Sequence, residues 1–142
     1  MIIQLNPDES RALLRENTLA RLGCVAEGEP YVVPVHYLFE GDSIYVHSLP
    51  GRKITALRAN PRACLQVDET RNEFQWWSVI ASGSYEEITD PDERERVLSR
   101  LFAHLPHFTP VESAMSQADG LPETIVFRIR ISTITGVSET WP

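Results

Sequence analysis

The sequence predicts a mainly β protein, a small β-barrel with a few helices packed around its outside. Three observations carry this reading. The stretch from Thr124 to Ile131 (TIVFRIRI) alternates strictly, with Ile125, Phe127, Ile129 and Ile131 on one face and Arg128 and Arg130 on the other. The early strands are joined by Glu27-Gly28-Glu29 and Glu40-Gly41-Asp42, which are hairpin turns and too short for parallel crossovers. Helix-start signals occur at only three places, and each opens a short helix.

Taken in order, Asn6 can cap a first helix that begins at Pro7, carries Asp8 and Glu9 in its first turn and runs to about Glu16, burying Leu13 and Leu14. Thr18 to Glu27 is an apolar strand interrupted by Gly23, a position for a bulge or a close contact. Pro30 to Glu40 (PYVVPVHYLFE) reads as one long strand, dense in β-branched and aromatic residues. Proline cannot donate to a ladder, so Pro34 places this strand at an edge, bulges it, or frees its backbone for something else. Ser43 to Ser48 completes the hairpin, with Ile44 and Val46 on one face and Tyr45 and His47 on the other.

A helix then opens at Arg52 and ends at Asn60, because the residue before Pro61 is pushed out of the α region. Arg62 to Glu69 is a strand, Thr70 to Glu73 a polar loop, and Gln75 to Ile88 a long strand with a bulge expected at Gly83. Asp90 caps a third helix through about Leu105, whose Val97, Leu98, Leu101 and Phe102 recur at helical spacing and read as its core face. Pro106 to Pro122 is irregular, a candidate lid or crossing segment. The Thr124 strand and a last one from Ile134 to Val137 end in a polar tail containing Trp141.

At 142 residues the chain is expected to form a single domain, 1–142, with 42% apolar and 23% charged residues arguing against disorder. A net charge of −7 argues against a nucleic-acid surface. The N-terminus lacks the pattern of a signal peptide and no apolar run is long enough to span a membrane, so a cytoplasmic protein is expected. Cys24 and Cys64 lie in strand patterns and read as small buried residues in a reducing compartment.

Against that acidic balance, Arg52, Lys53, Arg58 and Arg62 cluster locally. A loop-to-helix junction starting Gly51-Arg52-Lys53 is suited to a phosphate: first-turn amides lack intrahelical partners and the dipole favours an anion. Two surface cations at a helix start would be slightly disfavoured by that dipole, which speaks for a bound anion. Ser48 either donates to the same phosphate or caps the Gly51 loop. His47 touches the ligand or packs beside Tyr45, and His36 faces the ligand or water. No histidine has metal-site spacing; His104 and His107 suit a helix C-terminus.

Together these residues resemble the pyridoxamine 5′-phosphate oxidase-like flavoproteins, the FMN-binding split barrels. The resemblance covers Thr18 to Val137 and is carried by the proline-containing strand, Gly41-Asp42, the strand ending His47-Ser48, Gly51-Arg52-Lys53, Asn60-Pro61 and the strand Ser78 to Tyr85 (SVIASGSY). It implies an FMN phosphate at Ser48, Arg52 and Lys53 with His47 adjacent, and a flavin ring along the strand that holds Pro34, Val35, His36 and Tyr37. It also implies a homodimer with FMN at the subunit interface, covered by the partner through Trp76, Trp77 or Ser78. The tail VSETWP lacks the basic, aromatic ending of the true oxidases, so pyridoxamine phosphate oxidation is not expected, and the likeness is to the shorter, nitroimidazole-reductase-like subgroup. The implied activity is electron transfer from a reduced nicotinamide through FMN to a small-molecule acceptor. The alternatives are a non-catalytic flavin carrier or a haem-binding split barrel.

Overall fold

In the computed structural model, residues 1–105 and 124–141 are described. The expected lid or crossing segment from Pro106 to Pro122 and His107 lie outside them. The described elements are β1 (Ile2–Gln4), α1 (Pro7–Glu16), β2 (Leu19–Ala26), β3 (Glu29–His36), β4 (Leu38–Glu40) and β5 (Ser43–Ser48), followed by α2 (Arg52–Ala59), β6 (Arg62–Asn72), β7 (Gln75–Glu87), α3 (Pro91–His104) and β8 (Ile125–Glu139). Every described ladder is antiparallel, in the order β3-β2-β6-β7-β8-β5-β4, with β1 added beside the end of β8. The two ends of that order, β3 and β4, are separated in the chain by Tyr37 alone. A sheet whose outermost strands are covalent neighbours has to curl back on itself, and the predicted barrel follows.

Side-chain alternation places the core inside this curl. Ala20, Leu22, Cys24 and Ala26 of β2 turn inward with Ala63, Leu65 and Val67 of β6, Val79 and Ala81 of β7, and Phe127 and Ile129 of β8. Both cysteines are free: Cys24 is inward and buried, while Cys64 pairs with Gly23 on the outward face. Burial pushes the Cys24 thiol up, with Cys64 adding to the rise and the nearby Lys53 charge opposing it. A second, smaller core lies outside the barrel wall, where Val97 and Leu101 of α3 pack on Leu38, Ile88 and Val126.

The helix starts fall where the sequence puts them. Asn6 Oδ1 accepts from Glu9 N–H at 2.8 Å and Glu9 reaches back to Asn6 N–H, a complete capping box. Asp90 accepts from Glu93 N–H at 3.0 Å. Glu27 and Gly28, both with positive φ (53° and 79°), make the tight turn between β2 and β3. The register shift expected at Gly83 lies between Ser82 and Gly83, against β8.

Several boundaries differ from the sequence reading. The strand expected from Pro30 to Glu40 breaks at Tyr37, whose side chain turns into the core and whose hydroxyl donates to the Leu14 carbonyl at 2.6 Å. The polar segment from Thr70 continues β6 to Asn72, because β7 offers a ladder partner opposite it. The two final strands are one, β8, which passes through Ser132 at the β7 register shift. Gly23 provides a close contact rather than a bulge: a Cβ there would stand 3.0 Å from Cys64 Sγ, and its ladder with β3 is regular. No described helix is long and apolar enough to cross a membrane.

Candidate functional site

The alternation of an antiparallel ladder fixes what β3 offers on its outer edge. Tyr37 N–H donates to Thr18 C=O at 2.9 Å, so the hydrogen-bonded pairs with β2 run through Tyr37, Val35, Val33 and Tyr31. The backbone groups of Pro34 and His36 therefore face away from β2, towards an edge that no described strand occupies. Pro34 costs the ladder nothing there, since its missing N–H would have pointed outward. What remains on that edge near the end of β3 is the Pro34 carbonyl and both backbone groups of His36.

That edge opens onto a cavity of about 370 Å³ lined by Pro34, Val35, His36, His47, Ser48, the loop Leu49-Pro50-Gly51, Lys53, Phe102 and Leu105. Lys53 Nζ donates to Ser48 Oγ at 2.6 Å, and the Ser48 hydroxyl in turn donates to Leu49 C=O at 2.8 Å. Ser48 is buried at the inner end of β5, so its hydroxyl holds the ammonium against the cavity wall. Helix α2 begins at the same wall. Its N-cap, Gly51, provides no side-chain acceptor, and the first helical bond is Thr55 N–H to Gly51 C=O at 3.1 Å. The amides ahead of Thr55 have no intrahelical acceptor and present the positive end of the helix dipole. His47 leans on Phe102 edge to face, with ring centroids 5.6 Å apart, which joins the end of α3 to the site.

Among the described residues no carboxylate lines this cavity, although the chain carries 20 acidic residues against 13 Lys and Arg. A larger depression of about 740 Å³ runs along the exposed side of α3, but it mixes Asp92, Glu93 and Glu95 with Arg96 and Arg100 and has no converging donor set. The physical case for a ligand is therefore stronger at the smaller cavity.

Six of the ten expected cofactor residues thus meet in one place: Pro34, Val35, His36, His47, Ser48 and Lys53. Four lie elsewhere. Tyr37 is in the core on Leu14. Arg52 does not line the cavity; its guanidinium lies over the Tyr31 ring, 4.8 Å from the centroid. Trp77 packs inward against the barrel core beneath Arg71, and Ser78 accepts from Gln66 Nε2 at 3.0 Å on the outward face of β7. The other cations of the expected cluster also disperse, with Arg58 paired to Glu87. Phe102 and Leu105 belong to the site although their spacing reads as the core face of an amphipathic helix, and Phe102 is 44% exposed. Only the docking of α3 against β5 shows this.

Residues 6–138 match the pyridoxamine 5′-phosphate oxidase family. The chain belongs to that family. Among solved structures, the fold superposes on an FAD-binding protein from Mesorhizobium loti with a TM-score of 0.79, 30% identity and coverage of 99% of both chains. A putative 5-nitroimidazole antibiotic resistance protein from Bacteroides thetaiotaomicron shares the split-barrel fold at 22% identity and a TM-score of 0.75, covering 97% of this chain and 87% of that one. A putative pyridoxamine 5′-phosphate oxidase from Corynebacterium glutamicum does so at 21% identity and 0.77, covering 99% and 100%. An uncharacterized protein of Rhizobium meliloti is 37% identical over 84 residues, a match spanning 59% of this chain and 56% of the relative.

Proposed function

We propose that this family member binds FMN in the cavity between β3, β5 and α2, and as a homodimer passes electrons from a reduced nicotinamide to a small-molecule acceptor. The observation that carries the proposal is Lys53, held by Ser48 beside the uncapped start of α2, in a cavity that no described carboxylate lines. That end suits a phosphate dianion. The other end, the outward backbone of Pro34 and His36, suits the alternating donors and acceptors of a flavin ring edge. The Mesorhizobium loti neighbour, described as FAD-binding, supports the flavin class, and a phosphate terminus at α2 favours the mononucleotide.

The homodimer is favoured by one face of the sheet. The ladder register places Leu19, Val25, Val32, Ile80 and Val137, all between 37% and 63% exposed, on the same outward side of β3-β2-β6-β7-β8, around the Arg21–Asp68 ion pair. Such a patch is suited to a second copy. Trp76 and Ser78 share that outward side, so they are the groups a partner would bring near a flavin, whereas Trp77 is committed to the core.

When bound, the flavin supplies the two-electron chemistry. The chain's own residues bind the phosphate, orient the ring along β3 and exclude water through Phe102 and Leu105. Purified protein should show a flavin spectrum that bleaches anaerobically with NADH or NADPH. A flavin spectrum that persists with both donors would make the protein a carrier, a Soret band would make it a haem protein, and failure to bind added FMN would defeat the flavin reading.

A further inference from the structure

The cavity has walls of two kinds. β3, β5 and the start of α2 are built into the barrel, with Val35, Val46, Ile54 and Leu57 in its main core. Phe102 and Leu105 are carried by α3, which lies against the outside of the barrel. Side-chain alternation keeps the two kinds apart. β4, β5 and β8 turn Phe39, Val46 and Phe127 inward and the neighbouring Leu38, Tyr45 and Val126 outward, beneath α3. Val97 and Leu101 pack on that outer side, and among the described residues the main core contains none from α3. The charged ties reach water: Glu93 meets Arg128 at 3.2 Å and Arg100 meets Glu40 at 2.8 Å, and such pairs contribute little each. At the cavity end, Phe102 meets His47 edge to face.

We propose that α3 is a movable wall: it opens from an intact barrel as a unit of its own, and its closure is coupled to FMN binding. This inference rests on the FMN reading of the cavity. A segment packed on its own small core opens at a lower free energy than the whole fold. Opening takes Phe102 and Leu105 away from the ligand, while Ser48, Lys53 and the edge of β3 stay in place. A ligand that touches the closed wall favours closure, and by reciprocity a wall that closes more readily raises the affinity for that ligand. An opening α3 also gives FMN a way in and out past walls that the main core fixes.

The test is amide hydrogen exchange read by mass spectrometry, without FMN and with FMN at about 100 times its Kd. The proteins are the wild type, Val97→Ala and Val79→Ala. Both valines are buried and neither is among the cavity's described lining residues, so the same truncation is made once in the small core and once in the main core. In the flavin-free wild type, α3 should exchange at least about tenfold faster than β6 and β7. Val79→Ala should speed exchange in β6 and β7 and leave α3 unchanged, because the opened form keeps the main core. Val97→Ala should speed both, since its contacts are lost on either route. FMN should slow α3 exchange at least about tenfold, against a limit of about a hundredfold if the opened form does not bind it. Equal acceleration of α3 and the strands by Val79→Ala overturns the inference, because α3 would then open only with the whole fold. FMN that binds without slowing α3 exchange overturns it as well. Failure to bind added FMN defeats the FMN reading itself, an outcome that the flavin-free exchange pattern keeps distinct.

Discussion

Replacing Tyr37 by Phe removes one oxygen atom from the core, and the structure gives that atom a specific task. Leu14 lies in the last turn of α1, where its carbonyl has no helical N–H to accept from, and both Leu14 and Tyr37 are fully buried. The Tyr37 hydroxyl donates to that carbonyl at 2.6 Å. Burial also pushes the phenol well above its ordinary range, so it remains a donor at every working pH. Without the hydroxyl, a buried carbonyl is left unsatisfied, at a cost of about 1–3 kcal/mol. For a chain of this size that lowers the melting temperature by about 3–10 °C. Urea unfolding followed by circular dichroism measures the loss, with an unchanged m value showing that the exposed surface is the same. Because Tyr37 is outside the cavity, FMN affinity should not change. Stability within about 0.5 kcal/mol of the wild type, or a loss confined to FMN binding, would refute this reasoning.

The two sheet glycines should respond very differently to alanine. At Gly83 a Cβ would stand 2.0 Å from the Arg130 carbonyl oxygen, so β7 and β8 must part, and Gly83→Ala should cost at least about 2 kcal/mol in urea unfolding. At Gly23 the obstacle is the Cys64 thiol at 3.0 Å, a side chain that can rotate, and Gly23→Ala should cost well under half as much. Leu101→Ala should lose about 2–5 kcal/mol from the small core under α3 and weaken FMN binding as well, since Phe102 follows it in the chain. Glu87 is held below the usual carboxylate range chiefly by the hydrogen bond from Arg58, with the Tyr85 hydroxyl assisting. A depressed folded-state value stabilises the protein above the unfolded carboxylate pKa of about 4.3 and loses that contribution as pH falls through the folded value. Glu87→Gln should therefore be less stable than the wild type at neutral pH, with the gap narrowing towards about pH 3 in parallel urea titrations.

The parts of the fold legible in the sequence were those decided locally. Asn6-Pro7 and Asp90-Pro91 announce helix starts within four residues, and Glu27-Gly28 announces its turn through two left-handed residues. What could not be read locally was decided by distant partners. Residues Ile2–Gln4 become a strand only because Val137 to Glu139 lie beside them, and the break at Tyr37 exists because Leu14, 23 positions earlier, presents a carbonyl to it. The site divides the same way. His47, Ser48 and Lys53 lie within seven residues, so one loop-to-helix pattern identifies them together. Arg52 stands in the same pattern but follows Tyr31 across the fold, and Phe102 joins only through the docking of a helix fifty residues further on.

The edge of β3 that no described strand occupies also bears on resistance to strand-to-strand aggregation. A ligand that reads backbone groups needs a strand edge left open, and an open edge is a template on which other chains add strands and aggregate. Pro30 and Pro34 sit at two of the outward-facing positions on that edge and delete their amides, leaving acceptors without the matching row of donors. An invading strand would meet an incomplete ladder, while a flat heterocycle needs only one or two groups near His36. The same two prolines that make the strand look ill-suited to a sheet thus keep it available to a small molecule and closed to another protein chain.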